Sequence, residues 1–203
     1  YADPSYTTPN SILDWPGNGD ENLGVSAKLA PFVDLNENEI YEPELGDYPS
    51  IKGCAATYLI FNDVANTHGS GAPEIGIEVH QLFYQLSDTD IGNDLNGTTF
   101  VEQKIINKST SDFVDFYSTF FMDTDIGNWS DDFSGCDSSR NMMFSYNGDA
   151  FDNQSSSAPG YGEITPSLGV VLLNGNISGA GQFNATSFSP ANFPFSPEEY
   201  YNY

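Results

Sequence analysis

The segment 122–137 places five aspartates within sixteen residues, directly after an apolar, aromatic run. They are Asp123, Asp125, Asp131, Asp132 and Asp137. Carboxylates this close together repel one another unless water, a cation or a protonation shift relieves the repulsion. Because calcium accepts carboxylate and carbonyl oxygens in irregular loops, the pattern predicts a calcium-binding loop with these aspartates as candidate ligands. The alternative is a set of charged side chains in solvated turns.

The six residues that open the acidic part of this segment, Asp-Thr-Asp-Ile-Gly-Asn, occur twice. The copies lie at 88–93 and 123–128, and each follows an apolar run that predicts a strand. The repeat predicts equivalent loops at one end of a β-sandwich, with a coincidence of turn chemistry as the alternative.

A second candidate calcium loop begins at Asp34. Oxygen-bearing side chains stand at the alternate positions Asp34, Asn36 and Asn38, and the carbonyl of Ile40 is the next candidate ligand. This spacing is typical of calcium loops of the EF-hand or dockerin type. Two positions depart from that pattern, because Glu39 stands where glycine is expected and Leu45 where a bidentate glutamate is expected. Asp47 is the candidate for the late carboxylate, and a solvated acidic turn is the alternative.

Aromatic and β-branched runs separated by Gly, Ser, Asn and Asp predict many short strands joined by turns. The chain has 15 Phe and 12 Tyr in 203 residues and no long helical period of apolar residues. We predict an all-β fold, an antiparallel β-sandwich of jelly-roll or Ig-like type with long acidic loops. The expected strands include 57–61, 75–84, 98–107, 113–122, 140–146 and 170–173.

The same pattern divides the chain into three parts. Residues 1–30 are predicted to be an extended entry segment with Trp15 available as an anchor, and 31–178 the calcium-stabilised β-sandwich domain. Residues 179–203, rich in Phe, Ser, Pro and Asn, are predicted to be an extended tail or a linker.

A formal net charge of −24, with only five Lys and Arg, restricts the partners of the chain. Nucleic acid is excluded as a predicted partner, since a phosphate backbone needs a positive surface. Anionic membrane surfaces repel such a chain, and no apolar run approaches the roughly 20 residues that a membrane span requires. No membrane insertion is expected.

Two cysteines, Cys54 and Cys136, are predicted to form a disulfide if the protein is exported. A bridge that closes so long a loop stabilises the fold by about 4 kcal/mol in the chain-entropy model. Two free thiols are the alternative.

Catalytic motifs are missing from the sequence. Neither His68 nor His80 stands in a zinc-peptidase motif, and no Gly-x-Ser-x-Gly nucleophile elbow occurs. We predict that the chain is not an enzyme. A hydrolase would require His68 or His80 to meet carboxylates in a cleft.

An ordered series of motifs resembles the N-terminal region of large surface or secreted proteins of Bacteroidota. The strings are DWPGNGD at 14–20, LAPFVD at 29–34, GDYPSIKG at 46–53, IFND at 60–63, IGIEV at 75–79, TTF at 98–100, IINKS at 105–109, DDFSGCD at 131–137 and YNGD at 146–149. The resemblance implies export by the type IX route to the outer cell surface or the medium, with adhesion or surface structure as the role. Such proteins carry a C-terminal sorting domain outside the residues given, so a fragment or a processed form is expected.

The predicted function is a non-catalytic, extracellular, calcium-binding structural or adhesive module, with a subunit of a cell-surface filament as one form of it. The predicted partners are calcium, copies of the chain or neighbouring surface modules, and glycans. The alternative is a carbohydrate-binding module of a secreted multidomain protein or enzyme. That alternative requires exposed aromatic side chains, such as Trp129 or Tyr161, beside a calcium loop.

Overall fold

The structure is a computed structural model that describes residues 5–69, 71–118, 120–137, 139–156 and 158–173. The chain forms two compact units, Tyr1–Val114 and Asp115–Tyr203. Within the described stretches, no helix is long and apolar enough to cross a lipid bilayer. The predicted tail, 179–203, lies outside the described residues, and the predicted domain limits at 30 and 178 stay predictions.

Three antiparallel sheets contain the eight β-strands of the described residues. The sheets, in strand order, are β1 (Phe32–Val33) with β2 (Tyr48–Pro49); β3 (Ala55–Asn62), β4 (Ile77–Gln85) and β5 (Thr99–Asn107); and β6 (Asp132–Asp137), β7 (Met142–Asn147) and β8 (Ser167–Val171). The helical elements are α1 (Asn10–Leu13) and short 3-10 helices at Glu21–Leu23, Pro43–Leu45, Asp94–Gly97 and Trp129–Asp131. The predicted all-β, antiparallel fold is confirmed.

β4 is the central strand of the three-stranded sheet of the first unit and carries the longest run of buried residues there. It pairs with β3 and with β5 along its length, from Ile77 opposite Asn107 to Gln85 opposite both Ala55 and Thr99. Val79 and Leu82 of β4 are buried on opposite faces of the sheet, whereas β3 and β5 are half-buried or exposed. The apolar run 57–61 is typical of a strand buried on both faces, but it lies in the edge strand β3. The central place belongs to β4, in which Glu78, His80 and Gln81 are buried among apolar residues.

Two aromatic side chains hold the N-terminal segment against the first unit. Trp15 packs on Tyr58 of β3 with ring centroids 5.4 Å apart, and its indole N–H donates to the Pro31 carbonyl at 3.1 Å. Tyr41 is buried, and its hydroxyl donates to the Ile12 carbonyl at 2.6 Å. These contacts give the entry segment a fixed path over the sheet.

The sheet of the second unit has one face covered by its own chain. Ser145 and Asn147 of β7 are buried on this inner face. The hydroxyls of Ser145 and Thr124 are hydrogen-bonded at 2.6 Å, and the N–H of Ile126 donates to Asp132 at 2.7 Å. Residues 124–126 therefore run over the inner face of β6 and β7, and the buried Ile126 side chain closes it.

Two strand predictions differ from the structure. The aromatic run 113–122 forms no strand in its described residues, and Asp115 within it has a left-handed backbone with φ of 55°. Conversely, Asp132–Asp137, predicted as part of an acidic loop, forms β6. β-propensity depends strongly on packing context, and in both places the tertiary environment overrides it.

Candidate cation sites

The register of β6 and β7 places Asp132 directly opposite Asn147, both on the inner face of the second unit's sheet. Directly paired residues on one face have Cβ atoms roughly 4.5–5.5 Å apart. Asp131, the residue before β6, accepts a main-chain hydrogen bond from Gly148 at 2.8 Å through its carbonyl. The chain thus brings Asp131, Asp132 and Asn147 to one corner of the sheet.

Three side-chain oxygens at this corner are buried and, among the described residues, have no hydrogen-bond partner. They are Asp131 Oδ1, Asp132 Oδ1 and Asn147 Oδ1. Asn147 itself is only 8% exposed, and its amide N–H group donates to the Asp149 carbonyl at 3.1 Å. An unsatisfied buried polar group costs roughly 1–3 kcal/mol. Three such oxygens at one corner therefore indicate a binding partner from outside the chain.

The electrostatics of the corner are those of surplus negative charge. Burial raises the pKa of Asp132, the Ile126 N–H acts in the opposite direction, and the nearby carboxylates of Asp131, Asp152 and Asp125 raise it further. A carboxylate surrounded by three others, without a cation beside it, is disfavoured in its charged form. A bound cation would reverse this effect on the pKa.

Asp152 fixes the loops around the corner. Its side chain is 1% exposed and accepts main-chain N–H groups from Asn128 at 3.1 Å and from Tyr161 at 2.7 Å. Gly127 approaches so closely that a Cβ atom there would lie 1.9 Å from Asp152 Oδ2, and its φ of 62° is left-handed. Contacts of Asp152 with Gly127, Asn128 and Tyr161 therefore hold together the three loop segments that contain these residues.

The five aspartates predicted from the acidic segment divide into two groups. Asp131 and Asp132 lie at the corner, and the carboxylate of Asp125 is close enough to raise the pKa of Asp132. Asp123 and Asp125 are both exposed, and Asp123 is not among the carboxylates that act on Asp132. Asp137 lies at the opposite end of β6, where hydrogen bonds from Ser139 and then from Arg140 hold its pKa below the ordinary value.

Sequence reasoning missed Asn147 and Asp152 as members of this group. Asn147 stands in the string Tyr-Asn-Gly-Asp, which indicates a turn, and its position opposite Asp132 depends on strand register. Asp152 is one of many acids in a loop, and its burial depends on segments far away in sequence. A signal for Asn147 is its period-2 relation to the buried Ser145.

The loop between β1 and β2 contains the second predicted set, Asp34, Asn36, Asn38, Ile40 and Asp47. Asp34 accepts N–H groups from Asn38 at 3.3 Å and Glu39 at 2.6 Å, and Asn38 Oδ1 accepts from Ile40 at 2.9 Å. The side chains of Asp34 and Asn38 thus accept main-chain N–H groups of this loop, and the predicted calcium site stays a prediction. Glu39, at the position where glycine was expected, adopts the left-handed conformation with φ of 70°.

Asp47 connects the two ends of this loop through hydrogen bonds. It is 2% exposed, and its two oxygens accept N–H groups from Leu35 and Glu42, each at 2.9 Å. Glu42 in turn accepts the side-chain amides of Asn36 and Asn38. Both oxygens of Asp47 are therefore engaged by main chain, and its predicted role as a ligand stays a prediction.

The two copies of Asp-Thr-Asp-Ile-Gly-Asn differ over their first residues, whereas the last residues, Asn93 and Asn128, each cap a following 3-10 helix through the side chain. Residues 88–93 form a turn between the paired strands β4 and β5, in which Asp88 accepts the Asp90 N–H at 2.8 Å. Residues 123–126 are irregular and, as described above, pass over the second unit's sheet. The identical residues reflect shared turn chemistry in two contexts.

In the part of the chain that the structure describes, no three His, Cys, Asp or Glu side chains converge as a preformed metal centre. Calcium also binds amide and main-chain carbonyl oxygens, so a calcium site at the corner would include the unpartnered amide oxygen of Asn147 as well as carboxylates.

The two histidines have structural partners. His80 of β4 is buried, with Nδ1 at 2.8 Å from the Tyr58 hydroxyl and Nε2 at 2.9 Å from Glu78. His68 Nε2 lies 2.6 Å from the Asp63 carbonyl. His80 meets the carboxylate of Glu78 at a buried position of the sheet, and His68 and Glu74 line an open pocket of about 330 Å³. The absence of catalysis stays a prediction.

Cys54 and Cys136 are both exposed, free thiols in the structure. They belong to different units, and the bridge expected under oxidising conditions stays a prediction.

Comparison with protein-family models, with curated proteins and with solved structures finds no match to this chain.

Proposed function

We propose that the chain is a non-catalytic, calcium-stabilised β module of an exported or cell-surface protein, with a structural or adhesive role. The observation that supports calcium is the group of three buried, unpartnered oxygens on Asp131, Asp132 and Asn147. The surrounding carboxylates of Asp125 and Asp152 add the negative charge that a divalent cation would neutralise.

Calcium is the cation that suits this donor set best. The candidate ligands are carboxylate and amide oxygens from irregular loops and a strand end, without sulfur or nitrogen donors. Hard oxygen donors select calcium or magnesium, and magnesium demands near-ideal octahedral geometry, whereas calcium tolerates irregular loops. The loop 34–47 is a second predicted calcium site.

The test is thermal unfolding in calcium-stripped buffer and in calcium, for the natural chain and for Asn147→Leu. Calcium at about 100 times its Kd stabilises by about 2.7 kcal/mol, which raises the Tm of a unit of this size by roughly 10 °C. Asn147→Leu removes an unpartnered oxygen, and we expect it to lose most of that rise.

Asp137→Asn is the matched control, since Asp137 lies in the same strand but outside the corner. Its calcium-dependent rise in Tm should equal that of the natural chain. An unchanged Tm of the natural chain in calcium would refute the calcium proposal.

A carbohydrate-binding module is the second candidate function. Trp129 and Tyr161 are 59% and 58% exposed, as this alternative requires. Tyr161 also borders an open pocket of about 350 Å³, together with Gly127 and Gly160. Exposed aromatic side chains of this kind provide stacking surfaces for sugars.

A further inference from the structure

The outer face of the second unit's sheet carries three aromatic side chains in a continuous row. We call this row, formed by Phe133, Phe144 and Tyr146, the aromatic platform. Phe133 lies directly opposite Tyr146, and Phe144 is two residues from Tyr146 on the same strand. Because side chains alternate between faces of a strand, all three project away from the inner face that carries Asp132 and Asn147.

The rings of the platform are close to parallel, and two of the three are open to solvent. The Phe133 and Tyr146 centroids are 6.2 Å apart at an interplanar angle of 27°, and those of Phe144 and Tyr146 are 6.0 Å apart at 30°. Phe133 is 58% exposed and Tyr146 is 43% exposed, whereas Phe144 is half-buried. Phe133 and Tyr146 are thus supported by a neighbouring ring and still exposed.

Small residues surround the rings on both neighbouring strands. Gly135 and Gly169 flank Phe144, and Ser167 flanks Tyr146. The Phe144 ring leans over Gly135, where a Cβ atom would lie 2.7 Å from the ring tip. Part of the platform therefore stabilises the sheet, and this purely structural role explains Phe144. It leaves the exposure of Phe133 and Tyr146 unexplained.

We propose that the aromatic platform binds a neutral glycan chain of β-linked pyranoses with equatorial hydroxyls, an inference that rests on the second candidate function and not on calcium. Such sugars present C–H groups on their flat faces, which pack against the negative faces of aromatic rings. The two exposed neighbouring rings, Phe133 and Tyr146, provide contacts for successive sugars of one chain. Gly169 and Ser167, on the strand next to Phe144 and Tyr146, leave room for the sugar edges.

Charge and area favour a glycan over other occupants. A net charge of −24 opposes acidic polymers and a second copy of the chain. Stable protein interfaces bury roughly 800 Å² per partner. Three rings of roughly 150–250 Å² each, already partly covered, offer well below that area. A small, neutral, stacking ligand fits both limits.

The experiment measures binding of cellohexaose, chitohexaose and xylohexaose by isothermal titration calorimetry, with oligogalacturonate as the acidic counterpart. We expect at least one neutral oligosaccharide to bind and oligogalacturonate not to bind. Phe133→Leu and Tyr146→Leu keep apolar bulk but remove the rings, and each should weaken binding by about three- to tenfold. Unchanged Tm values would show that both variants fold.

Tyr117→Leu is the control, since its side chain is exposed and lies outside both the platform and the 350 Å³ pocket. Its affinity should equal that of the natural chain. Loss of binding in Tyr161→Leu with full binding in Phe133→Leu and Tyr146→Leu would move the site to that pocket and overturn the inference.

Absence of binding to every neutral probe would also overturn the platform inference. Platform-dependent dimerisation in light scattering would instead assign the platform to a second copy. The calcium proposal fails separately, through an unchanged Tm in calcium.

Discussion

Asp132 and Asp137 stand five residues apart in β6 and have opposite electrostatic environments. Burial and nearby carboxylates raise the pKa of Asp132, whereas hydrogen bonds from Ser139 and Arg140 lower that of Asp137. The folded state therefore disfavours the charged form of one residue and favours the charged form of the other. This contrast makes the two aspartates a matched pair for testing the corner.

In calcium-stripped buffer at pH 7, Asp132→Asn should raise the Tm and Asp137→Asn should lower it. A raised pKa destabilises the fold above that pKa, and the penalty disappears as the pH falls below the ordinary range of an aspartate. A lowered pKa gives stability above the ordinary value, which is lost as the pH falls through the folded-state pKa. Both differences should therefore vanish towards low pH.

Thermal denaturation between pH 3 and pH 8 measures these effects. Added calcium at pH 7 should reverse the sign for Asp132→Asn alone, since the charged carboxylate then has a ligand. If Asp132→Asn lowers the Tm in stripped buffer, the hydrogen bond from the Ile126 N–H outweighs burial and the repulsion between carboxylates at the corner.

At the scale of elements, the loops of the second unit depend on the contact between Gly127 and Asp152. Gly127→Ala combines a left-handed φ of 62° with a Cβ position 1.9 Å from Asp152 Oδ2. Gly24, with φ of 74° and open space around its Cβ position, offers the same backbone conformation without the clash.

Gly24→Ala should lower the free energy of unfolding by about 1 kcal/mol, and Gly127→Ala by clearly more, since Asp152 must also move. Urea unfolding measures both. Equal losses would show that Asp152 adapts to the added methyl group and does not fix the loops.

The prediction of elements from sequence succeeded where local patterning decides the structure. The strands β3, β4 and β5 follow from residue types and spacing. β6 was missed because Asp132, Gly135 and Asp137 are typical of turns, and only pairing with β7 makes that segment a strand. Asp131 and Asp132 were found through local charge density, whereas Asn147 and Asp152 reach the corner through long-range contacts.

At the scale of the whole molecule, each unit contains one of the two tryptophans, Trp15 in the first and Trp129 in the second. The variants Trp129→Phe and Trp15→Phe therefore report the unfolding of one unit each by fluorescence. We expect calcium to raise the midpoint that Trp129 reports, because the corner of Asp131, Asp132 and Asn147 lies in that unit.

Adding Asn147→Leu should abolish the calcium effect on Trp129 and leave the transition of Trp15 unchanged. A calcium effect on the Trp15 transition that survives Asn147→Leu would support the predicted site at 34–47. Identical midpoints for both reporters under all conditions would show that the two units unfold in one cooperative transition and would contradict this prediction.

The consecutive pairs Asp132 with Asn147 and Phe133 with Tyr146 point to opposite sides of one sheet. A single residue inserted or deleted in β6 would move every following side chain of the strand to the opposite face of the sheet. Carboxylates would then meet solvent, and an aromatic ring would take the place of the acid opposite Asn147. Homologous strands should therefore vary by substitution and keep their length, and an alignment of such strands can be anchored on this alternation.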